Sequence, residues 1–507
     1  QVHDKKALWP ERLRRIDFPT HLHARELEIT LGVFSVYNGT ALKELLRAPH
    51  GGLLFPMART LKVTLTQTTR EQRLLARIPT ALDIESNICA FVQRIRLVAP
   101  MTRRVCISLR SRSSNESQFA TQPFGSLVEQ LGQLGNTIEH RYSCRPLPLE
   151  PPPTGVSSLT LEYSSNENRS NLVMRLARHN SATLRALIIY VGASERISPL
   201  VLNDDGSCVE YPHLQELRIA KQIEWTLEEE PQSPPPVYPG AIPFPKLRRL
   251  SLKSEYPFGD DTPFRGNAST LEYLYLDLGY DMIRILRECQ VFTRESHPKL
   301  QHVCSMAGFI SIQSIFDSDA SYMAFITSIG PLARVREMDY LLFSESLHSV
   351  IPVLGQYTCL QVLEVKWSFR SIREVITLIR ALPLLSDLRI GSVTFGAQIS
   401  RSYKHRLPAH MVASYAPISK RFRCWRFASC FSHDVKMLAY CVLLLALVCP
   451  NFDYAAVPAR DRELFMAHMK RMVATDGFRP YKERLRRLLF GGWKNDIPSI
   501  KNIETWD

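Results

Sequence analysis

Apolar residues return along this chain in one short figure: an apolar residue, two variable positions, then an apolar-x-apolar triplet. It reads ATLRALIIY (Leu184, Leu187, Ile189), PHLQELRI (Leu214, Leu217, Ile219), PKLRRLSL (Leu247, Leu250, Leu252) and STLEYLYLDL (Leu271, Leu274, Leu276). It continues as PKLQHVCS (Leu300, Val303, Ser305), ARVREMDY (Val335, Met338, Tyr340), TCLQVLEV (Leu360, Leu363, Val365) and PLLSDLRI (Leu385, Leu388, Ile390). The steps between the middle residues, from 187 to 388, are 30, 33, 24, 29, 35, 25 and 25. The triplet has the period of two that a strand with one buried face requires. The remaining residues of each step leave room for a return segment, and where the stripe is readable that segment is helical. In 40–48, Ala41, Leu42, Leu45 and Leu46 share a face; in 83–98 the stripe is Ile84, Ile88, Phe91, Val92 and Ile95. Segments 124–134 and 171–179 behave alike.

A near-constant period carrying L-x-x-L-x-L is the signature of leucine-rich repeats, each unit supplying one strand and a returning helix. The fold expected is therefore an α/β leucine-rich-repeat solenoid: a curved horseshoe with parallel strands on its concave face, helices on its convex face and irregular, long repeats. Upstream, further strands are expected at Leu27/Ile29, Leu61/Val63, Val105/Ile107 and Leu159/Leu161, with longer spacings, and downstream at Phe422, Trp425 and Phe427. That gives 12 or 13 repeats. The domain reading is a basic lead-in over 1–24, the solenoid over 25–430 and a helical C-terminal cap over 431–507. Within the cap, the sixteen residues 437–452 carry no charge but fall short of the ~20 needed to span a bilayer. A buried helix is the expectation there, followed by two amphipathic helices in 460–492 broken at Asp476-Gly477. The cap would cover the open end of the core.

Composition changes this picture little. The formal charge of +14 (63 Lys and Arg against 49 Asp and Glu) favours an anionic partner. The basic residues are scattered, though, without a block of Lys/Arg interleaved with aromatics, and a basic nucleic-acid-associated scaffold is the alternative rather than the main reading. The 11 cysteines are odd in number, and Cys89, Cys359, Cys441 and Cys449 sit in apolar runs. Reduced, core-packed thiols in a cytoplasmic or nuclear protein are expected. The sequons at Asn38, Asn115, Asn168 and Asn267 are read as accidental, and the start at Gln1 as a sign of sequence upstream.

Chemistry finds no residues to rest on. The sequence has no Gly-rich phosphate loop, no G-x-S-x-G and no H-E-x-x-H. Cys424, Cys430 and His433 form C-x5-C-x2-H, without an evident fourth ligand. His21 and His23, His405 and His410, and the pair Asp260 and Asp261 in the loop 255–270 have no partner pattern. Pro-rich insertions at 144–155 and 227–245 are read as inter-repeat loops, the second resembling a polyproline ligand. No catalytic residue, metal or cofactor is expected, and no membrane partner. What the scaffold offers is the outward column of its strands: Glu216, Arg218, Arg249, Ser251, Lys253, Tyr273, Tyr275, Asp277, Glu364, Lys366, Asp387 and Arg389. Mixed charge with Arg and Tyr suits a protein partner bound on the concave face.

Four strings, YPFGDDTPFRGNASTLEYLYL, SHPKLQHV, CVLLLALVCPNFDYAAVP and RPYKERLRRLLFGGWKNDIPSI, resemble an expanded group of fungal leucine-rich-repeat proteins of the F-box-like type. The resemblance covers the chain from about residue 17 onward. It implies a substrate-recognition subunit of a Skp1–cullin ubiquitin ligase, which would contact a Skp1-type adaptor through an F-box-like helical segment ahead of the repeats. That segment is not visible in this sequence. The Asn that often follows the repeat strand is replaced as well, by Gln222, Glu255, Gly279 and Val393. No catalytic residue follows from the resemblance.

Overall fold

The computed structural model describes residues 25–47, 55–67, 81–111, 121–142, 154–161, 170–191, 198–203, 205–221, 243–254, 270–278, 297–305, 328, 334–342, 347–368, 372–393, 417–430, 435–452, 454–457, 461–475, 478–482 and 485. They belong to two compact units, residues 1–268 and 269–507.

In the first unit the described elements are β1 (Glu26–Gly32), α1 (Val33–Tyr37), α2 (Thr40–Arg47), β2 (Thr60–Gln67), α3 (Ala81–Val98), β3 (Arg104–Ser111) and α4 (Thr121–Gly132). They continue with β4 (Thr137–Tyr142), β5 (Val156–Leu161), α5 (Ser170–His179), β6 (Ala186–Val191), α6 (Ser198–Val201), β7 (Glu216–Lys221) and β8 (Arg249–Ser254). The second unit has β9 (Tyr273–Leu278), β10 (His302–Ser305), β11 (Glu337–Leu342), α7 (Leu347–Leu354), β12 (Val362–Ser368) and α8 (Ile372–Ala381). It ends with β13 (Asp387–Val393), β14 (Cys424–Cys430), α9 (Val435–Val448), β15 (Tyr454–Ala456) and α10 (Arg462–Thr475).

Within each unit every strand pairs in parallel with the next one in the chain. A parallel neighbour demands a crossover, and among the described residues helices lie in the crossovers β1–β2, β2–β3, β3–β4, β5–β6, β6–β7, β11–β12, β12–β13 and β14–β15. This is the α/β leucine-rich-repeat architecture, one strand and one return per repeat.

The leucines of the figure stack into columns. In the first unit Leu187, Leu217 and Leu250 are in register, as are Ile189, Ile219 and Leu252. In the second, Leu274, Val303, Met338, Leu363, Leu388, Trp425 and Ala455 follow one another across seven strands. All these side chains are almost wholly buried, each contributing about 1.5–3 kcal/mol of transfer free energy if large and aliphatic. A second recurrence lies three residues before the first leucine. There Tyr211, Phe244, His297, Tyr357 and Leu382 are fully buried, and each carbonyl accepts the leucine N–H, as in Leu214 to Tyr211 at 3.2 Å and Leu385 to Leu382 at 3.0 Å. A third is a backbone staple. The Gln361 carbonyl accepts both Ser386 N–H (2.8 Å) and Asp387 N–H (3.1 Å), and Arg25, Arg59, Arg185, Gln215 and Ser386 serve the following strands in the same way.

The thirteen strand positions expected from the pattern are strands, and two more join them. β4 fills the long gap between Val105 and Leu159. Its inward positions are Ile138 and the buried His140, so that Thr-Ile-Glu-His-Arg-Tyr does not read as an apolar alternation. Here the ladder slips: Val105 is opposite Ile138 and Ile138 opposite Val156, but His140 is opposite Leu159. The β4–β5 step absorbs the slip as a bulge. The other added strand, β15, is only three residues of Tyr-Ala-Ala, whose inward Ala455 leaves little apolar signal.

The apolar run near the C-terminus is α9, buried all round. No helix among the described residues is long and apolar enough to cross a membrane. The helix α10 stops at Thr475, next to the expected break. The Pro-rich insertions, apart from their last residues, and the 255–269 loop with Asp260 and Asp261 lie outside the described residues, as do His21, His23, His405 and His410.

Candidate interaction face

The residues that alternate with the buried leucines form the outward face of each unit. The backbone puts them there, because a pleated strand sends successive side chains to opposite sides. On the first unit, register brings Glu216 beside Arg249, Arg218 beside Ser251 and Ala220 beside Lys253. Arg218 holds Glu216 along its own strand, with Nη2 2.5 Å and Nε 2.6 Å from the same carboxylate oxygen. Arg249 and Lys253 are exposed, while Ser251 is buried.

On the second unit, Tyr273, Tyr275 and Asp277 are half-buried along β9. Glu364, Asp387 and Arg389 join one network on β12 and β13. Arg389 Nη1 is 3.8 Å from Glu364, and its Nε is 3.5 Å from Asp387 Oδ2. Asp387 is only 8% exposed, and burial pushes its carboxyl above the ordinary aspartate value; the guanidinium groups of Arg426 and Arg389 oppose that shift. Lys366 lies in β12, opposite Leu342, and its side chain is outside what is described.

The face is broader than the twelve residues read from the sequence. Arg426 on β14 makes the shortest contact with Asp387, Nη2 to Oδ2 at 2.9 Å. Beside them the Cys424 thiol is pushed up to about 12, first by burial and then by the Asp387 charge. His302 on β10 lies 3.0 Å through Nδ1 from Glu337 on β11, and this bond holds the Glu337 carboxyl below its usual range. The His302 ring also lies against Tyr273, centroids 4.1 Å apart. In the first unit the same outward columns carry Lys62 with Glu26 (2.6 Å) and Arg104 with Glu139 (2.5 Å). The Cys106 thiol donates to Glu139 at 3.2 Å and is pushed up to about 12, mainly by burial. Applying the strand alternation to β1–β4, β10, β11 and β14 would have found these residues; the leucine figure is less regular there.

These pairs neutralise one another along single strands and across neighbouring ones, so the face of each unit is mixed in sign even though the chain is strongly basic. Exposed pairs of this kind contribute about 0–1 kcal/mol each; their larger effect is to hold long side chains in place. Both thiols stay protonated at neutral pH and are poor nucleophiles. Among the described residues there is no group of three or more His, Cys, Asp or Glu that could hold a metal ion. His433 and the side chain of Cys430, two members of the C-x5-C-x2-H string, are outside the described set. The expectation of core-packed cysteines needs correcting. Cys441 and Cys449 are buried, Cys359 is half-buried, and Cys89 is exposed. Cys89 follows the buried Ile88 by one residue, a turn of ~100° that carries it off the apolar stripe.

No protein-family model and no curated protein matches the chain. Among solved structures 28 chains match. One of them, in the crystal structure of the TLR13-ssRNA13 complex, aligns over 74% of this chain and 57% of that chain, at 10% identity and a TM-score of 0.26. This chain thus spans less than two-thirds of that protein. So loose a superposition carries no argument, and the leucine-rich-repeat assignment rests on the strand ladder and its leucine columns.

Proposed function

We propose that the protein is a non-catalytic interaction scaffold that binds a protein partner on the outward face of its repeat strands. The observation that carries this reading is the composition and ordering of that face. Arg218, Arg389 and Arg426 are held by carboxylates at 2.5–3.8 Å, and Tyr273 and Tyr275 stand beside one another on one strand. Arginine and tyrosine are the side chains that dominate protein-interface hot spots, and pre-ordered ones lose less entropy on binding. A phosphate backbone would favour a face of one sign.

The finer proposal is that the chain is the target-recognition part of a Skp1–cullin ubiquitin ligase adaptor of the fungal F-box-like type, acting in the cytoplasm or nucleus. The resemblance of the four sequence strings supports it. Affinity capture from the native source, with the gene extended upstream, tests both levels. Co-purification of a Skp1-like protein and a cullin with a reproducible target supports the adaptor. A target captured alone, and lost in a Tyr275→Ala/Arg218→Glu variant that still folds, supports the scaffold and removes the ligase role. Binding only to DNA or RNA, falling steeply with salt, would replace both with the nucleic-acid reading.

A further inference from the structure

Two neighbouring repeats of the first unit enter their strands through the same sequence figure. Phe55-Pro56-Met57-Ala58-Arg59 leads into β2, and Ala99-Pro100-Met101-Thr102-Arg103 leads into β3. Each begins with a four-residue turn closed by one backbone bond, with Pro at its second position. Ala58 N–H donates to the Phe55 carbonyl at 3.1 Å, and Thr102 N–H to the Ala99 carbonyl at 3.3 Å. The figure then sets Arg59 and Arg103 at the same place in the backbone staple, where Arg25 stands before β1. Arg59 N–H donates to the Arg25 carbonyl and Arg103 N–H to the Arg59 carbonyl, both at 2.9 Å. Register through Glu26, Thr60 and Arg104 keeps the three arginines in one row, with about 4.8 Å between strands. All three are exposed, and none forms an ion pair with a described residue. The carboxylates of the adjoining strand positions are taken, Glu26 by Lys62 and Glu139 by Arg104. Further along the unit the same place is held by Asn136, Ser157, Arg185 and Gln215, so that Arg185 stands between two uncharged residues.

We infer that this rim, at the N-terminal ends of β1–β3, is a second docking surface, and that it takes an acidic protein segment with an apolar side chain among its carboxylates. Like charges side by side on adjacent strands destabilise a sheet, and no described carboxylate is bonded to these three. Carboxylates brought by a partner supply what is missing. A guanidinium holds a carboxylate through two parallel N–H···O bonds, and about three or four residues of extended chain cover the width of three strands. Met57 and Met101, each 50% exposed, stand two residues before Arg59 and Arg103. A thioether side chain adapts its shape to an apolar one laid against it. The methionines separate a peptide from other anions. A single-stranded nucleic acid binds through aromatic faces as well as charge, and Phe55, the aromatic residue of the two turns, is buried. An anionic bilayer would press a wider plane on this edge and meet Glu26 and Glu28, both exposed. The rim is separate from the outward strand face, and the inference does not rest on what that face binds.

The test uses the full chain and two fluorescein-labelled octapeptides, octa-glutamate and one in which leucine replaces two of the glutamates. Binding is followed by anisotropy at low and near-physiological salt, with an oligouridine and phosphatidylserine vesicles alongside. Both peptides bind, the leucine-bearing one more tightly. The double variant Arg59→Gln/Arg103→Gln weakens both about tenfold or more. Met57→Ser/Met101→Ser weakens the leucine-bearing peptide alone, about fivefold. Arg175→Gln/Arg185→Gln removes the same charge from two exposed arginines of the same unit and leaves both affinities as they were. Circular dichroism and melting are unchanged in all three variants, because every substituted side chain is exposed. Failure of both peptides to bind, an equal loss in the Arg175/Arg185 variant, no effect of the methionine pair, or tighter binding of the oligouridine or the vesicles overturns the inference.

Discussion

Lowering the pH from 7 to 5 should loosen the first unit at one identifiable residue. His140 faces inward on β4, 3% exposed, between Ile107 and Leu159 in the ladder. Burial holds its imidazole down to about 4, from an ordinary 6.5. The neutral form is therefore the one the fold accepts, and the unfolded chain binds the proton more readily. Stability from this group is complete above about 6.5, falls through the window between 6.5 and 4, and is fully lost below it. At about 1.36 kcal/mol per pKa unit, the whole effect is roughly 3 kcal/mol, of which about 2 kcal/mol is gone by pH 5. Hydrogen–deuterium exchange of peptides covering β4 and β5, corrected for intrinsic rates, reads this locally. The wild type is expected to lose protection by roughly thirtyfold between pH 7 and pH 5. His140→Leu, which keeps an apolar side chain in the column and removes the titration, should lose none of that increment. An identical pH response in the two proteins would show that the buried imidazole is not what couples this strand to pH.

Three further outcomes follow from packing. Gly135→Ala places a Cβ 2.8 Å from Val105 Cγ2 and 3.0 Å from the Arg103 carbonyl, so the β3–β4 step must shift; a loss of about 1–3 kcal/mol in urea unfolding is expected. Leu388→Ala removes a fully buried rung of the second unit's column and should cost about 2–5 kcal/mol, read as a lower melting temperature. Arg426→Ala takes the nearer of its two guanidinium partners from the buried Asp387 carboxylate and leaves Arg389, at a cost of about 1–3 kcal/mol at neutral pH. The Asp387 pKa, already raised, climbs further in that variant. Its penalty should therefore shrink as the pH falls and the carboxyl protonates, and a penalty independent of pH would contradict the pairing.

The repeat architecture was legible because leucine columns demand the same residue type at the same place in every strand. Where the column admits another residue, legibility fails. His140 in β4 and Ala455 in β15 hid two strands, and the slip at Ile138 and Val156 disguised the repeat length on either side. The buried position before each turn was visible only as its Pro neighbour, since Tyr211, Phe244, His297 and Leu382 share burial but not chemistry. The outward face was half legible. Alternation predicts which residues point away from the core, but not that Arg389 spans Glu364 and Asp387, nor that His302 joins Tyr273 to Glu337. Those contacts depend on register between strands some 25–35 residues apart. Cys89 failed for a simpler reason: an apolar neighbourhood along a helix does not say which side of it a residue occupies.

The claim that the strand face is the binding surface is tested most directly by site-specific photocrosslinking. A benzoylphenylalanine introduced at Arg249 or Lys253 on the outward face of the first unit is compared, in the native source, with one at Leu97 on α3 of the same unit, which is 58% exposed and not on that strand face. The account predicts one protein adduct, the same from both face positions and missing from the α3 position. Adducts from Leu97 alone, or face adducts made up only of nucleic acid, would contradict it.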